Sequence, residues 1–291
     1  MSKHHFVPEF LLRHWHSGPD NRLSRIGRER DAIVHKRRSA KMCARHRDVY
    51  RLRGTTDPEA LESIFLGEVD NDAARVHCHL IAMGRSHEYS PDERIAWSRF
   101  VVALMRRHPT YIRYLLRRGA EEYEKAVEAF KADHGGTLSA EFEEWLAGPG
   151  AINKQNIGLT NVFTQLVNSE LVNNAVLKAH WKVRRLDGAK FDLLIGDRPV
   201  IYGGALNATF LLTLPLTPHH VFFAFNDPET GRRIDATPPT QVVKIANLDT
   251  VTFAYTHVFA TSDEQLRFVS NHLKPKPIPP ITSRPMLDRS P

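Results

Sequence analysis

The chain has 291 residues, 42% of them hydrophobic, which is enough apolar material for one large core or two modest ones. Two cysteines exclude a disulfide framework and fit a reducing compartment. No run approaches the ~20 apolar residues of a membrane span, and charged and His residues interrupt the place of a signal peptide, so a cytoplasmic protein without a membrane partner is expected. The formal charge of +7 and pI of 9.5 favour a nucleic acid or another polyanion as partner, with the basic excess in Arg22 to Arg53 and Arg106 to Arg118.

The chain opens on Lys3-His4-His5-Phe6-Val7-Pro8-Glu9-Phe10-Leu11-Leu12-Arg13. Histidine changes charge near neutral pH and is the commonest metal ligand, so a His pair beside a rigid proline suggests a positioned site. The plainer reading is that Phe6, Val7, Phe10 and Leu11 dock the terminus and the histidines are satisfied neighbours. Ser17 to Asn21 is a turn, and short β pieces around Gly27 and Asp31 predict a hairpin over Leu23 to Val34. Cys43-Ala44-Arg45-His46 and His77-Cys78-His79 invite zinc, yet a closed zinc site uses paired short-spaced ligands on both sides, so zinc is not expected. Asp48-Val49-Tyr50 reads as a short extended piece.

Asp57-Pro58-Glu59 supplies an N-cap, a proline at the first helical position and an acid in the first turn, which predicts a helix from Pro58 to Met83 ended by Gly84. Counting about 100° per residue from Leu61, the residues Leu61, Phe65, Val69, Val76 and Leu80 share a face, and Glu68, Asp72 and His79 lie along its edge. Carboxylates there need a cation, a metal or several hydrogen bonds, and a buried pair with an arginine of the same or the next helix meets that need. Ser90-Pro91-Asp92-Glu93 is a capping box that starts the next helix. Pro109 breaks that pattern just after Arg106 and Arg107, and helix resumes from Tyr111 to Gly119.

Glu121 to Ala132, Ser139 to Leu146 and a long Ile157 to Ala179 read as further helices, with Gly148-Pro149-Gly150 as the one internal boundary. From Trp181 the period becomes that of strands: Trp181 to Leu186, Phe191 to Ile195, Val200 to Tyr202, Thr209 to Leu214 and Val221 to Phe225. Gln241 to Thr256 is a last helix and 275–291 a proline-rich tail. The expected architecture is α+β: one domain over 1–274, a helical layer from the first half packed on a mostly antiparallel sheet from the second, with the N-terminus between them. Gly196-Asp197-Arg198-Pro199 places an acid at a tight turn between apolar strands, suited to a catalytic or ligand role, or to bonding its own backbone.

The opening segment, Asp48-Val49-Tyr50, the helix from Glu68 to Ala74, an Arg in the middle helix, Phe191 to Val200, Leu214-Pro215-Leu216-Thr217-Pro218, Asn247 and Val258-Phe259-Ala260 together resemble the bacterial domain of unknown function 4238 family. Gly196 and Trp15 depart from the Ser and Phe of that pattern. The resemblance implies a shared architecture and no reaction, and it singles out His4, His5, Glu68, Arg107 and Asp197 as the polar members of matching segments. His4-His5 with Pro8 is also similar to the core of His-Me finger nucleases, although a strand precedes the histidine in those sites and only a few residues precede it here. The functional expectation is a hydrolase of phosphodiesters, a metal-dependent nuclease of bacterial defence or toxin type. In it His5 is the general base, Glu68 and Asp197 bind Mg or Mn with His4 or Asp72, and Arg107 holds phosphate. Two other readings are a non-enzymatic regulatory or binding module in which these residues form a structural network, and an enzyme acting on a nucleotide or small anion without a metal.

Overall fold

The computed structural model describes residues 3–30, 32–83, 89–205 and 208–275. Strand β1 (Lys3–His5) is followed by Pro8, whose ring-constrained φ of −58° leads into helix α1 (Glu9–Leu12) and a 3-10 turn, Arg13–Trp15. Phe6, Val7, Leu11, Leu12 and Trp15 are all buried, and the Trp15 indole donates to the Leu193 carbonyl at 2.7 Å. The terminus is therefore part of the core. Strands β2 (Leu23–Glu29) and β3 (Ala32–Arg38) form the expected hairpin, with Asp31 outside the described residues. Strand β4 (Arg45–Arg47) pairs antiparallel with β1, setting His4 opposite His46 and His5 opposite Arg45. Asp48 to Tyr50 form a turn instead of an extended piece, with Asp48 in the left-handed region at φ 50° that aspartate tolerates better than most residues.

The helix expected from Pro58 begins as a π-helical stretch, Leu61–Leu66, and continues as α2 (Gly67–Met83); its expected stop, Gly84, lies outside the described residues. A π turn holds more residues than an α turn, so a phase counted at about 100° per residue from Leu61 is offset beyond Gly67: Val69, Val76 and Leu80 are buried as counted, but the edges of the face move. Helix α2 buries Val69, Ala73, Val76, His77 and Leu80. Glu68, Asp72 and His79 are thereby turned off the core edge, and Asp70 faces Arg107.

The capping box forms as expected on α3 (Pro91–Arg106): the Glu93 amide donates to Ser90 Oγ at 3.2 Å and the Ser90 amide donates to the Glu93 carboxylate at 2.8 Å. Pro109 starts α4 (Pro109–Asp133), which runs through Gly119 without a stop. Gly119 serves close approach instead, since a Cβ there would meet Gly158 N at 2.7 Å. Helices α5 (Ala140–Ala147) and α6 (Pro149–Ile157) meet at Gly148. The single helix expected over 157–179 is a second π-helical stretch, Gly158–Phe163, then α7 (Thr164–Val167) and α8 (Glu170–Lys178), interrupted where Asn168 leaves helical geometry. This stretch seats Gly158 directly on α4.

The second half supplies β5 (His180–Arg185), β6 (Ile195–Gly196), β7 (Ile201–Gly204), β8 (Phe210–Thr217), β9 (His220–Phe225), α9 (Pro228–Ala236), α10 (Pro239–Phe253), β10 (His257–Ala260) and α11 (Leu266–His272). One antiparallel sheet has the order β5-β9-β8-β7; a second, β3-β2-β10-β6, draws two strands from the first half. The fold is α+β. Strand alternation divides β9 between two cores: Phe222 and Ala224 join the large core under the helical layer, while Val221, Phe223 and Phe225 pack on Ile234, Val242 and Val243 of α9 and α10. Among the described residues no helix is long and apolar enough to cross a membrane.

Candidate functional site

The pairing of β1 with β4 turns His4 inward and leaves His5 half-exposed. His4 Nδ1 accepts from the Tyr50 amide at 2.9 Å, so Nε2 is the nitrogen that carries the proton and donates to Glu59 Oε2 at 2.6 Å. The two rings stack at 5.5 Å, and Arg51 donates to the other Glu59 oxygen at 2.8 Å. Both nitrogens of His4 are thus committed to protein partners. His5 differs: its Nε2 donates to the Lys41 carbonyl at 3.2 Å, which leaves the Nδ1 lone pair as the basic position of the neutral ring. Burial lowers the His5 pKa, against the opposing pull of the Lys41 carbonyl and the Glu9 and Asp70 carboxylates.

Opposite His5 stand two acids that the phase count from Leu61 does not single out, Glu62 and Asp70. The His5 amide donates to Glu62 Oε1 at 3.4 Å. Burial raises the pKa of both carboxyls, and in each case the attraction of Arg107 offsets only part of that rise. Arg107 is fully buried at the end of α3, with its Nη1 2.7 Å from Asp70 Oδ1 and its carbonyl accepting from the Tyr50 hydroxyl at 2.8 Å. Arg107 and Asp70 thus form a close ion pair, and the arginine lowers the Asp70 pKa against the effect of burial. Among the described residues Nε and Nη2 of Arg107 and Oε2 of Glu62 lack a hydrogen-bond partner. Buried donors of a guanidinium are nearly always matched, so Nε and Nη2, left over once Nη1 pairs with Asp70, mark a place beside two carboxyls of raised pKa that an oxyanion fits.

The other expected site residues lie elsewhere. Glu68, its side chain 59% exposed, pairs with Arg99 of α3 at 3.1 Å, and Asp72 pairs with Arg75 one turn along α2. Those are the arginine partners anticipated for core-edge acids, met at the surface because the π stretch shifted the phase. Asp197 is buried, not reachable: it accepts from the Tyr255 and Thr256 amides at 2.7 Å, the Thr256 hydroxyl at 2.9 Å and the His257 amide at 3.0 Å. It bonds backbone, as a turn aspartate does, but backbone of the α10 to β10 connection and not its own. Toward the N-terminal corner it faces His108, whose Nε2 lies 3.9 Å away.

Glu68, Asp72 and Asp197 are therefore each engaged on a separate partner set, and His4 has no nitrogen to spare. Among the described residues no group of three or more His, Cys, Asp or Glu side chains is arranged to hold a metal. The donors do not fit the expected Mg or Mn site. What the structure does bring together is His4, His5 and Arg107 with Tyr50, Glu59, Glu62 and Asp70. No curated protein and no solved structure matches the chain. A family model does match, over residues 3–264, and the chain belongs to the family described as Protein of unknown function (DUF4238).

Proposed function

We propose that this chain is a phosphodiester hydrolase acting on RNA in the cytoplasm, using side chains alone. The observation that carries the reading is the buried Arg107 guanidinium, its Nη1 paired with Asp70 and its Nε and Nη2 without a hydrogen-bond partner among the described residues, beside half-exposed His5, Glu62 and Asp70. RNA brings its own nucleophile in the 2′-hydroxyl, so the chemistry asks only for a base, an acid and a cation. His5 Nδ1 takes the 2′-hydroxyl proton as that oxygen bonds to phosphorus. The bond from phosphorus to the 5′ oxygen breaks, and this oxygen takes a proton from the Glu62 carboxyl. Arg107 binds the phosphoryl oxygens, exchanging the Asp70 carboxylate for a second anion at the same guanidinium. Burial lowers the pKa of His5, as a neutral base needs, and raises that of Glu62, the direction that favours a proton donor. Arg45, Arg47, Arg51 and Arg53 surround β4 and the following turn and give the corner a charge that complements a polyanion.

One observation favours a second reading. Arg107 and His4 have no exposed surface, as expected of a network whose work is to pin the N-terminal strand to α2 and α3. The two readings separate when the protein is incubated with RNA and with DNA, in EDTA and with added magnesium or manganese, beside His5→Ala. Cleavage of RNA in EDTA that His5→Ala abolishes while leaving the melting temperature intact supports the hydrolase. No cleavage under any condition removes it and leaves the network.

A further inference from the structure

We propose that the tyrosines and arginines gathered at the break between α3 and α4 form a base-stacking subsite for single-stranded nucleic acid. This inference rests on the reading of Arg107 as a phosphate site and names the form of the substrate. The α3 end, the α4 start, β7 and the α10 to β10 connection converge here. Starting from Phe6, next to His5, the rings follow one another: Phe6 to His108 at 5.2 Å, His108 to Tyr255 at 4.6 Å, then Arg198 over Tyr255 at 4.7 Å and over Phe253 at 3.9 Å, and Phe253 to Tyr202 at 5.5 Å. Arg106 lies over Tyr111 at 5.0 Å, and Tyr111 meets Tyr114 at 5.8 Å. Tyr202 is close enough to both Tyr111 and Tyr255 to join the two series electrostatically.

Three features point to bases on a backbone. First, Tyr111, Tyr114, Tyr202, Phe253 and Tyr255 are each half-buried, so each ring is held firmly yet keeps area for a ligand. Second, Arg106 is buried with its Nε lacking a directed partner among the described residues, one residue from Arg107. Third, arginines are interleaved with the rings, which disfavours the quaternary ammonium ligands that aromatic cages take and favours a planar neutral base tied to an anionic phosphate. Paired bases are already stacked on each other, so the strand that uses these rings is single.

The test is fluorescence anisotropy of a fluorescein-labelled decauridylate and a decathymidylate with the full chain and with Tyr202→Leu, Tyr255→Leu and Tyr202→Phe. Stacking losses predict roughly 10-fold weaker binding for each leucine variant, and within about 2-fold of the parent for the phenylalanine variant, which keeps the ring. Competition by a matching duplex should be weaker than by either single strand. No binding of either oligonucleotide, leucine variants that bind like the parent, or a duplex that competes equally would each overturn the inference. Binding without cleavage overturns the hydrolase reading and leaves the stacking subsite standing. If a leucine variant does not fold, titration of the parent with decauridylate reads the same contact through tyrosine emission, and unquenched emission at saturation overturns it.

Discussion

Replacing Arg107 with methionine keeps most of the side-chain volume and removes the charge that faces Asp70. Breaking a buried ion pair by removing one partner typically costs about 3–5 kcal/mol, because the survivor stays desolvated. Asp70 retains 27% exposure, so part of that cost is relieved by water and about 2–4 kcal/mol is expected here. For a chain of this size that lowers the melting temperature by roughly 3–7 °C. Urea denaturation at pH 7 measures it directly. The decisive arm is the double variant Arg107→Met with Asp70→Leu, which removes both desolvated groups and should recover most of the loss, with a coupling above about 1.5 kcal/mol. A single variant within about 0.5 kcal/mol of the parent, or a double variant equal to the sum of the singles, refutes the claim that the two groups are buried against each other.

Tyr50→Phe should cost about 1–2 kcal/mol, since it strands the Arg107 carbonyl; a chemical melt indistinguishable from the parent would contradict the bond. Asp197→Asn should cost about 2–4 kcal/mol by turning an amide group toward N–H donors of residues 255–257, and a loss of activity at unchanged stability would instead make Asp197 part of the chemistry. Gly158→Ala should destabilise by more than ~2 kcal/mol, because its Cβ would lie 2.4 Å from the Leu115 carbonyl oxygen; a neutral melt would show that α4 can move aside. His77 and His108 are both held down to about 4 by burial, so the unfolded chain takes up protons before the folded one. Their contribution is complete above the ordinary histidine range and falls away as pH drops toward 4, by roughly 3 kcal/mol for each ring. Glu62 and Asp70 have the opposite sign, because their raised pKa values stabilise the protein on the acid side, and they blunt the loss only at the bottom of that window. Urea melts between pH 7.5 and 4.5 check this, and a flat profile would mean the two rings are not buried neutral.

What was legible beforehand followed from local chemistry. The capping box with its proline start at Pro91, the break at Pro109, the hairpin over β2 and β3 and most of the strands after Trp181 are specified by residues a few places apart and form, whereas Phe191 to Ile195 is a strand only from Ile195. Helix α9 was not singled out, although Asp227-Pro228-Glu229 repeats the pattern of Asp57-Pro58-Glu59. The acids at the site were not. Their identity turns on the π-helical stretch Leu61–Leu66, and nothing in Leu61-Glu62-Ser63-Ile64-Phe65-Leu66 distinguishes five-residue from four-residue bonding before the tertiary contacts exist. The same holds at Gly158, where close approach of α4 selects the wide turn. Partners distant in sequence, such as Asp197 with residues 255–257, lie beyond any short-range rule.

The proline at 109 explains why three consecutive residues serve three different neighbourhoods. Proline disfavours helical geometry in the residue before it, and His108 accordingly takes φ −60° and ψ 136°, so the chain turns outward for one residue between two long helices. On a continuous helix Arg106, Arg107 and His108 would fan across one surface at about 100° steps. Here Arg106 stacks on Tyr111, Arg107 reaches Asp70, and His108 sits between Phe6 and Tyr255 with Asp197 at its far side. One extended residue thereby ties the N-terminal strand, the α2 carboxyls and the α10 to β10 connection to a single point of the backbone. The Tyr50 hydroxyl closes that point by bonding the Arg107 carbonyl, which the break leaves without a helical partner. The placement of Arg107 and the docking of the terminus thus depend on the same short backbone segment.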